Sequence, residues 1–276
     1  MISGAWGDLR IEVPRKSRNW GIMRSRNIDY NSNAFHRALA ELTRLRSGQA
    51  VLDLGCGRGR TLGALLQLTG DAGRAVGLDI SAQQLSLAER VYADEIARGR
   101  LHLVECNAIN PLPFDDGSFD ALICQNVLEC IPEKDPFLRQ CHRVLRPGGV
   151  IVLGHHDFDS VMLASDDREL TQRLVHDFAE AQLPGMEAAD AQMGRQLPEL
   201  MRQMPFRDLE TVATLDVDLD LTGDGSILDL LQSLYDVAPA GIEPERLRRW
   251  RDDLDGRAAE GRFYCAIPWV CVIGVK

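Results

Sequence analysis

Asp53, Gly55, Gly57 and Gly59 stand within one stretch of seven residues, and a second acid, Asp79, follows twenty positions after the last glycine. Glycines at alternate positions let the backbone turn sharply and come close to a bound molecule. Further along, His155, His156 and Asp157 are adjacent. An imidazole that titrates near neutrality is the usual general base, so one of the pair, oriented by Asp157, is a candidate to take a proton from a substrate. Asn126 and Glu129 form a second candidate place for acceptor chemistry. Plainer alternatives stand beside each reading: a tight turn for the glycines, surface loop positions for the histidines, and helix capping with a solvated face for Asn126 and Glu129. A metal site from His155, His156, Asp157 and Asp159 is not expected, because adjacent histidines seldom share an ion without more ligands.

The elements that must position these groups alternate along the chain. Residues 51–54 are apolar and end at the glycines, as a buried parallel strand does on turning into a helix. A helix to about Leu68 follows, then a strand 75–79 ending in Asp79. Ser81 and Gln84 have the spacing of a capping box and open a helix with Leu85, Ala88, Val91 and Ile96 on one face. A third strand, 101–106, stops before Asn107 and Ala108, and 121–125 is a fourth, ending in Gln125. A helix 134–145 precedes a fifth strand, 150–154. Strand and helix in alternation imply a parallel, doubly wound α/β sheet, which holds ligands at the carboxyl ends of its strands. Beyond it, residues 160–205 read as helical, 209–220 as a strand, 226–237 and 244–254 as helices, and 263–275 as a long last strand. Before the first strand, Phe35, Leu39, Leu42 and Leu45 recur at helical spacing. His36, His102 and His176 fall in helix or strand patterns and read as structural.

The dinucleotide fingerprint G-x-G-x-x-G would need glycine where Arg60 stands. The pattern present, an acid followed by G-x-G-x-G, resembles instead the first motif of class I S-adenosylmethionine (SAM) dependent methyltransferases. The run L-P-F-D-D-G-S-F-D (112–120) is similar to the loop before the fourth strand in the subgroup containing the ubiquinone and menaquinone C-methyltransferases, and L-R-P-G-G (145–149) is typical of the same family. The resemblance covers about residues 33–154. It implies a seven-stranded, mostly parallel Rossmann-like sheet with an antiparallel last strand and a helical cap after the fifth. The domains that follow are an arm or lid over 1–32, with Tyr30 near the cofactor, and a methyltransferase domain over 33–276 with its cap at about 156–206. It implies SAM as cofactor and S-adenosyl-L-homocysteine as product. Asp53 and the loop of Gly55, Gly57 and Gly59 would hold the amino-acid end, Asp79 the ribose, and the Asn107 carbonyl oxygen the adenine amino group, with Ile80, Ala108 and Gln125 as further contacts. Cys130 is a departure, since many members of the subgroup have histidine after the glutamate.

Composition bounds the partner. The 276 residues are 45% apolar and carry a formal net charge of −10, which argues against a nucleic-acid backbone as substrate. Residues 1–46 hold nine basic and four acidic side chains, whereas 155–226 hold five basic and sixteen acidic; that excess is a solvated surface or an acidic cap favouring a cationic acceptor. No signal-peptide pattern or membrane-length apolar run is seen, so neither a membrane partner nor export is expected and the cytoplasm is the expected location. The seven cysteines contain no C-x-x-C pair and read as free, mostly buried thiols. The sequence reading is thus a SAM-dependent methyltransferase acting on an oxygen or nitrogen of a small molecule, of the kind found in secondary metabolism. A C-methyltransferase on a quinone-like or aromatic acceptor, and a non-catalytic SAM-binding protein, are the alternatives. The oligomeric state is not legible.

Overall fold

The computed structural model describes residues 33–181, 190–221, 226–236 and 241–276. The expectations for the 1–32 arm, Tyr30 included, and for 182–189 of the cap lie outside those residues.

Helix α1 (Asn33–Glu41) leads into strand β1 (Ala50–Leu54), every residue of which is buried. The glycine turn follows, then α2 (Leu62–Thr69), β2 (Arg74–Asp79), α3 (Ala82–Val91), α4 (Ala93–Ala97) and β3 (Leu101–Glu105). Strand β4 (Phe119–Gln125), α5 (Lys134–Val144) and β5 (Leu145–His156) complete the parallel part. After it come β6 (Met162–Leu163), α6 (Arg168–Ala179), α7 (Met193–Arg202), β7 (Arg207–Asp218), α8 (Ser226–Asp236), α9 (Pro244–Ala259) and β8 (Cys265–Val275).

The sheet order is β3-β2-β1-β4-β5-β8-β6, with β7 also paired to β8. The first five strands pair in parallel, and β8 runs antiparallel to both β5 and β7. The expected sheet with its antiparallel last strand is therefore present, and the two-residue β6 adds an eighth strand.

Two apolar layers sandwich the sheet. One, including Leu52, Leu122, Phe137, Leu153, Met193, Leu197 and Met201, lies under α5 and α7; the other, with Leu39, Val51, Leu65, Val152 and Trp269, lies under α1 and α2. A third cluster gathers Leu170 and Leu174 from α6, Leu231 and Leu234 from α8, Trp250 and Leu254 from α9, and Cys265 and Ile267 from β8. Inside it the Trp250 Nε1–H donates to Thr171 Oγ1 at 2.8 Å, so its one polar atom is satisfied. The helical elaboration thus differs in extent from the expected 156–206 segment. It draws α8 and α9 from beyond β7, whereas α7, inside that range, packs on the sheet.

Local chemistry explains the element ends near the site. Ser81 caps α3 by accepting from Gln84 N at 3.3 Å, as its position predicts. The reciprocal half of the expected capping box differs: the Ser81 N–H goes to Asp79 Oδ1 at 2.8 Å rather than to Gln84.

Candidate active site

The tips of β1 and β2 bring the two acids together. Asp53 pairs in register with Gly77 and Leu54 with Leu78, so Asp79 comes level with Gly55. The Asp79 carboxylate accepts the Gly57 N–H at Oδ2 and the Ser81 N–H at Oδ1, both at 2.8 Å, which fixes the glycine turn against the start of α3. Asp53 is 4% exposed, and its Oδ2 is fully buried with no hydrogen-bond partner among the described residues. Burial, and then the charge of Asp79, push its pKa up to about 7. A buried carboxylate oxygen with nothing to accept from is an unfilled place for a donor, and an ammonium group fits it in both charge and hydrogen bonding.

The glycines do different jobs. Gly55 has φ +73, and a Cβ there would lie 2.1 Å from Val127 Cγ2, so the glycine admits the segment after β4. Gly57 has φ +52, and a Cβ there would meet nothing within 4 Å, leaving backbone open to a ligand. Gly59 is closed over by Tyr92, whose hydroxyl donates to the Gly59 carbonyl at 2.8 Å. Past β2 and β3, Ile80 and Ile109 are apolar yet 64% and 54% exposed. Asn107 Oδ1 accepts the Ile109 N–H at 3.0 Å and keeps a second lone pair. Ala108 lies beside it, partly buried.

Gln125 is not presented to the same hollow. Its Oε1 accepts from Trp269 Nε1 at 3.3 Å, and its Nε2 donates to Asn126 Oδ1 at 3.1 Å. Gly154 makes the room, since a Cβ there would lie 2.1 Å from Gln125 Oε1.

The histidines are placed otherwise than the loop reading expects. Strand β5 runs on through both of them, paired as His155↔Val270 and His156↔Trp269, and they are 0% and 1% exposed. Asn126 Oδ1 accepts from Gln125 Nε2 and from His156 N, so its Nδ2 is the donor to His156 Nδ1, 3.0 Å away. The neutral ring then carries its hydrogen on Nε2, 3.4 Å from Asp216 Oδ2. Both nitrogens of His156 are directed at protein groups, which removes the ground for reading it as an acceptor-facing base. Asp157 does not orient either ring; it takes a two-pronged ion pair from Arg195, Nε to Oδ2 at 2.6 Å and Nη2 to Oδ1 at 2.5 Å. That pairing also removes Asp157 from any metal ligand set, and among the described residues no group of three or more His, Cys, Asp or Glu is placed to hold an ion. His36 bonds Thr61 Oγ1 at 3.0 Å, and burial lowers its pKa to about 4.

Glu129 sits in the 3-10 turn Leu128–Cys130 just past β4, 8% exposed, its Oε2 3.6 Å from His155 Nε2. Burial and the charge of Asp190 push its pKa up to about 7 against the opposing pull of Lys134. The sequence reading missed Asp216 and Asp190. Asp216 carried a signal: in β7 it shares a strand face with Val212 and Thr214, so an acid occupied an inward position.

An order β3-β2-β1-β4-β5 with the last strand inserted antiparallel, and an acid at each of the first two strand tips, defines the architecture of the class I SAM-dependent methyltransferases. The comparisons agree. Residues 52–153 match the family described as "Methyltransferase domain". The ubiquinone/menaquinone biosynthesis C-methyltransferase UbiE of Vibrio parahaemolyticus is 33% identical over 192 residues, covering 67% of this chain and 70% of that one. An uncharacterized 37.1 kDa protein in transposon TN4556 of Streptomyces fradiae is 30% identical over 233 residues, covering 83% of this chain, which spans 63% of that relative's length. The geranyl diphosphate C-methyltransferase of Streptomyces coelicolor, solved with S-adenosyl-L-homocysteine, shares the fold at a TM-score of 0.52 and 17% identity, covering 88% of this chain and 75% of that one. The chain belongs to this methyltransferase family. It is a SAM-dependent methyltransferase, and SAM is its cofactor.

Proposed function

We propose that the protein transfers the SAM methyl group to a small-molecule acceptor, at a ring carbon of a phenol- or quinol-type molecule. SAM supplies a methyl carbon already activated by a sulfonium; the protein aligns the acceptor and manages a proton, and alignment of this kind is worth roughly 7 to 11 kcal/mol. The observation that carries the cofactor assignment is the unpartnered, buried Asp53 Oδ2 beside an open glycine turn. In this reading Asp53 takes the ammonium, Gly55 to Gly59 the amino-acid end, Asp79 the ribose hydroxyls and Asn107 the adenine amino group. Ile80 and Ala108 cover the adenine. Gln125 acts from beneath, by fixing Asn126.

The carbon acceptor is supported by the relationship to a protein named as a C-methyltransferase over 192 residues. Transfer to oxygen or nitrogen was expected from one of His155 and His156 as a general base; with both rings enclosed, it ranks second. The net charge of −10 supports a small molecule over a nucleic acid. Among the described residues no helix is long and apolar enough to cross a membrane.

Incubation of the full chain with methyl-labelled SAM and separate pools of hydroquinones, phenols, amines and carboxylic acids tests the proposal. Label attached to ring carbon in the hydroquinone or phenol pool is the expected result. Label on oxygen or nitrogen alone would replace the carbon reading with the second one, and no transfer to any pool would leave a SAM-binding scaffold.

A further inference from the structure

Two buried titratable groups meet where β4 and β5 end, and among the described residues one of their atoms has no hydrogen-bond partner. His155 Nδ1 lies 2.6 Å from the carbonyl oxygen of His156. A carbonyl only accepts, so Nδ1 carries the ring hydrogen and Nε2 presents a lone pair. That Nε2 is fully buried, has no hydrogen-bond partner among the described residues, and faces Glu129 Oε2 at 3.6 Å. An unpaired lone pair in the interior is costly unless something donates to it, and a protonated Glu129 carboxyl is the donor in place. Catalytic contacts are often this long in the free protein and tighten when substrate binds. The two members differ in access: the Glu129 side chain is 10% exposed and that of His155 0%. The turn holding Glu129 follows Val127, which packs on Gly55 of the glycine turn.

We propose that Glu129 is the base that takes the acceptor's proton, and that His155 is its positioning residue, accepting the carboxyl O–H at Nε2. This rests on the methyl-transfer reading above.

The surroundings set the direction of titration. Around Glu129, burial and Asp190 raise its pKa to about 7 and Lys134 opposes them, with Cys130 the neighbouring thiol. Around His155, burial dominates and lowers its pKa to about 4; the His156 carbonyl, Asp190 and Asp157 oppose, and the His156 ring adds to the lowering. At neutral pH the imidazole is uncharged while the carboxyl exchanges its proton.

For a hydroxylated ring the proton of the hydroxyl moves to the Glu129 carboxylate, and the oxygen's electron pair shifts into the ring. The ring carbon forms the new carbon–carbon bond as the carbon–sulfur pair departs with sulfur, which becomes a neutral thioether. The ring hydrogen then leaves to solvent as a proton, and Glu129 returns its own proton to the phenolate oxygen.

The test follows kcat from pH 5 to 9 for the full chain, using labelled SAM and a mixed pool of hydroquinones and phenols. The wild-type rate should rise with a midpoint near pH 7. Glu129→Gln should lower kcat by about 10²- to 10⁴-fold and abolish the rise, with SAM affinity by calorimetry unchanged. Glu129→Asp should keep the rise at a reduced rate, and His155→Asn should move its midpoint to lower pH, because the imidazole lone pair that accepts the carboxyl O–H is then gone while burial and Asp190 remain. A Glu129→Gln rate equal to wild type, a flat profile in Glu129→Asp, or an unmoved midpoint in His155→Asn overturns the proposal. Failure of the wild type itself to transfer label strikes the methyl-transfer reading instead.

Discussion

The two halves of the sheet edge build their sites by opposite means. On the β1-β2-β3 side the groups come from one short stretch: Gly57 and Asp79, bonded to each other, are 22 residues apart. Much of the work there is done by backbone amides, and in the turn after β1 the positive φ angles fall on Gly55, Gly57 and Gly59. On the β4-β5-β8 side the interacting groups are side chains from remote segments, Gln125 with Trp269 across 144 residues and Asn126 with His156 across 30. At the tip of β4 it is Asn126 that holds a positive φ, +50, and it keeps a side chain that glycine would lack. In the proposed assignment, recognition of a constant cofactor is written into a contiguous stretch and acceptor chemistry is assembled by tertiary packing.

The largest effect expected of that division is at Asp79. Asp79→Ala removes the acceptor of two backbone N–H groups as well as the proposed ribose partner, so SAM affinity should fall by about 100- to 1,000-fold. Calorimetry measures it, with Glu129→Gln as the control from the other half. Equal losses of affinity in the two variants would erase the distinction between a cofactor side and an acceptor side.

Gly55 is where the halves touch. Gly55→Ala places a Cβ 2.1 Å from Val127 Cγ2 at φ +73, so overpacking and left-handed strain add to about 2 to 4 kcal/mol of lost stability. Denaturant unfolding reads this directly. Val127→Ala in the same chain should restore much of it; no restoration would mean that the strain is confined to the turn and that the halves are uncoupled.

The same division explains what was legible in the sequence. The first five strands, both strand-tip acids and the glycine turn rest on local periodicity and spacing, and the structure has them where that pattern puts them. The apolar run of 150–154 could not tell that β5 continues through His155 and His156, because the extension depends on pairing with Val270 and Trp269, more than a hundred residues away. Likewise the helical reading of 160–205 did not say that Leu197 and Met201 of α7 meet the sheet rather than α6. Glu129 was visible as a candidate; its facing of a buried imidazole was not.

A smaller effect separates the halves by pH. Asp53 has its pKa raised to about 7, so above that pH it is ionised and attracts an ammonium, and below it the attraction is lost. SAM affinity should therefore fall about tenfold from pH 8 to pH 6. Asp53→Asn should be weaker at pH 8 and flat across the range, whereas Glu129→Gln should keep the wild-type slope in binding while losing the slope in kcat. A binding slope that vanished in Glu129→Gln would assign that titration to the acceptor side.

The smallest expected change in stability is also the sharpest test of where the cofactor lies. Gly57 has nearly the same backbone twist as Asn126, φ +52 against +50, but nothing within 4 Å of a built Cβ. Gly57→Ala therefore costs only left-handed strain, about 1 to 2 kcal/mol, and Gly57→Asn less, because asparagine tolerates that region. A methyl there meets no described residue within 4 Å, so a further penalty on SAM binding is the mark of a ligand lying on that face. SAM titration should show a loss of tenfold or more in both variants, larger for the bulkier Asn even though Asn is the less strained. A ranking of affinities that followed stability, with Ala worse than Asn, would move the cofactor off the open face of Gly57.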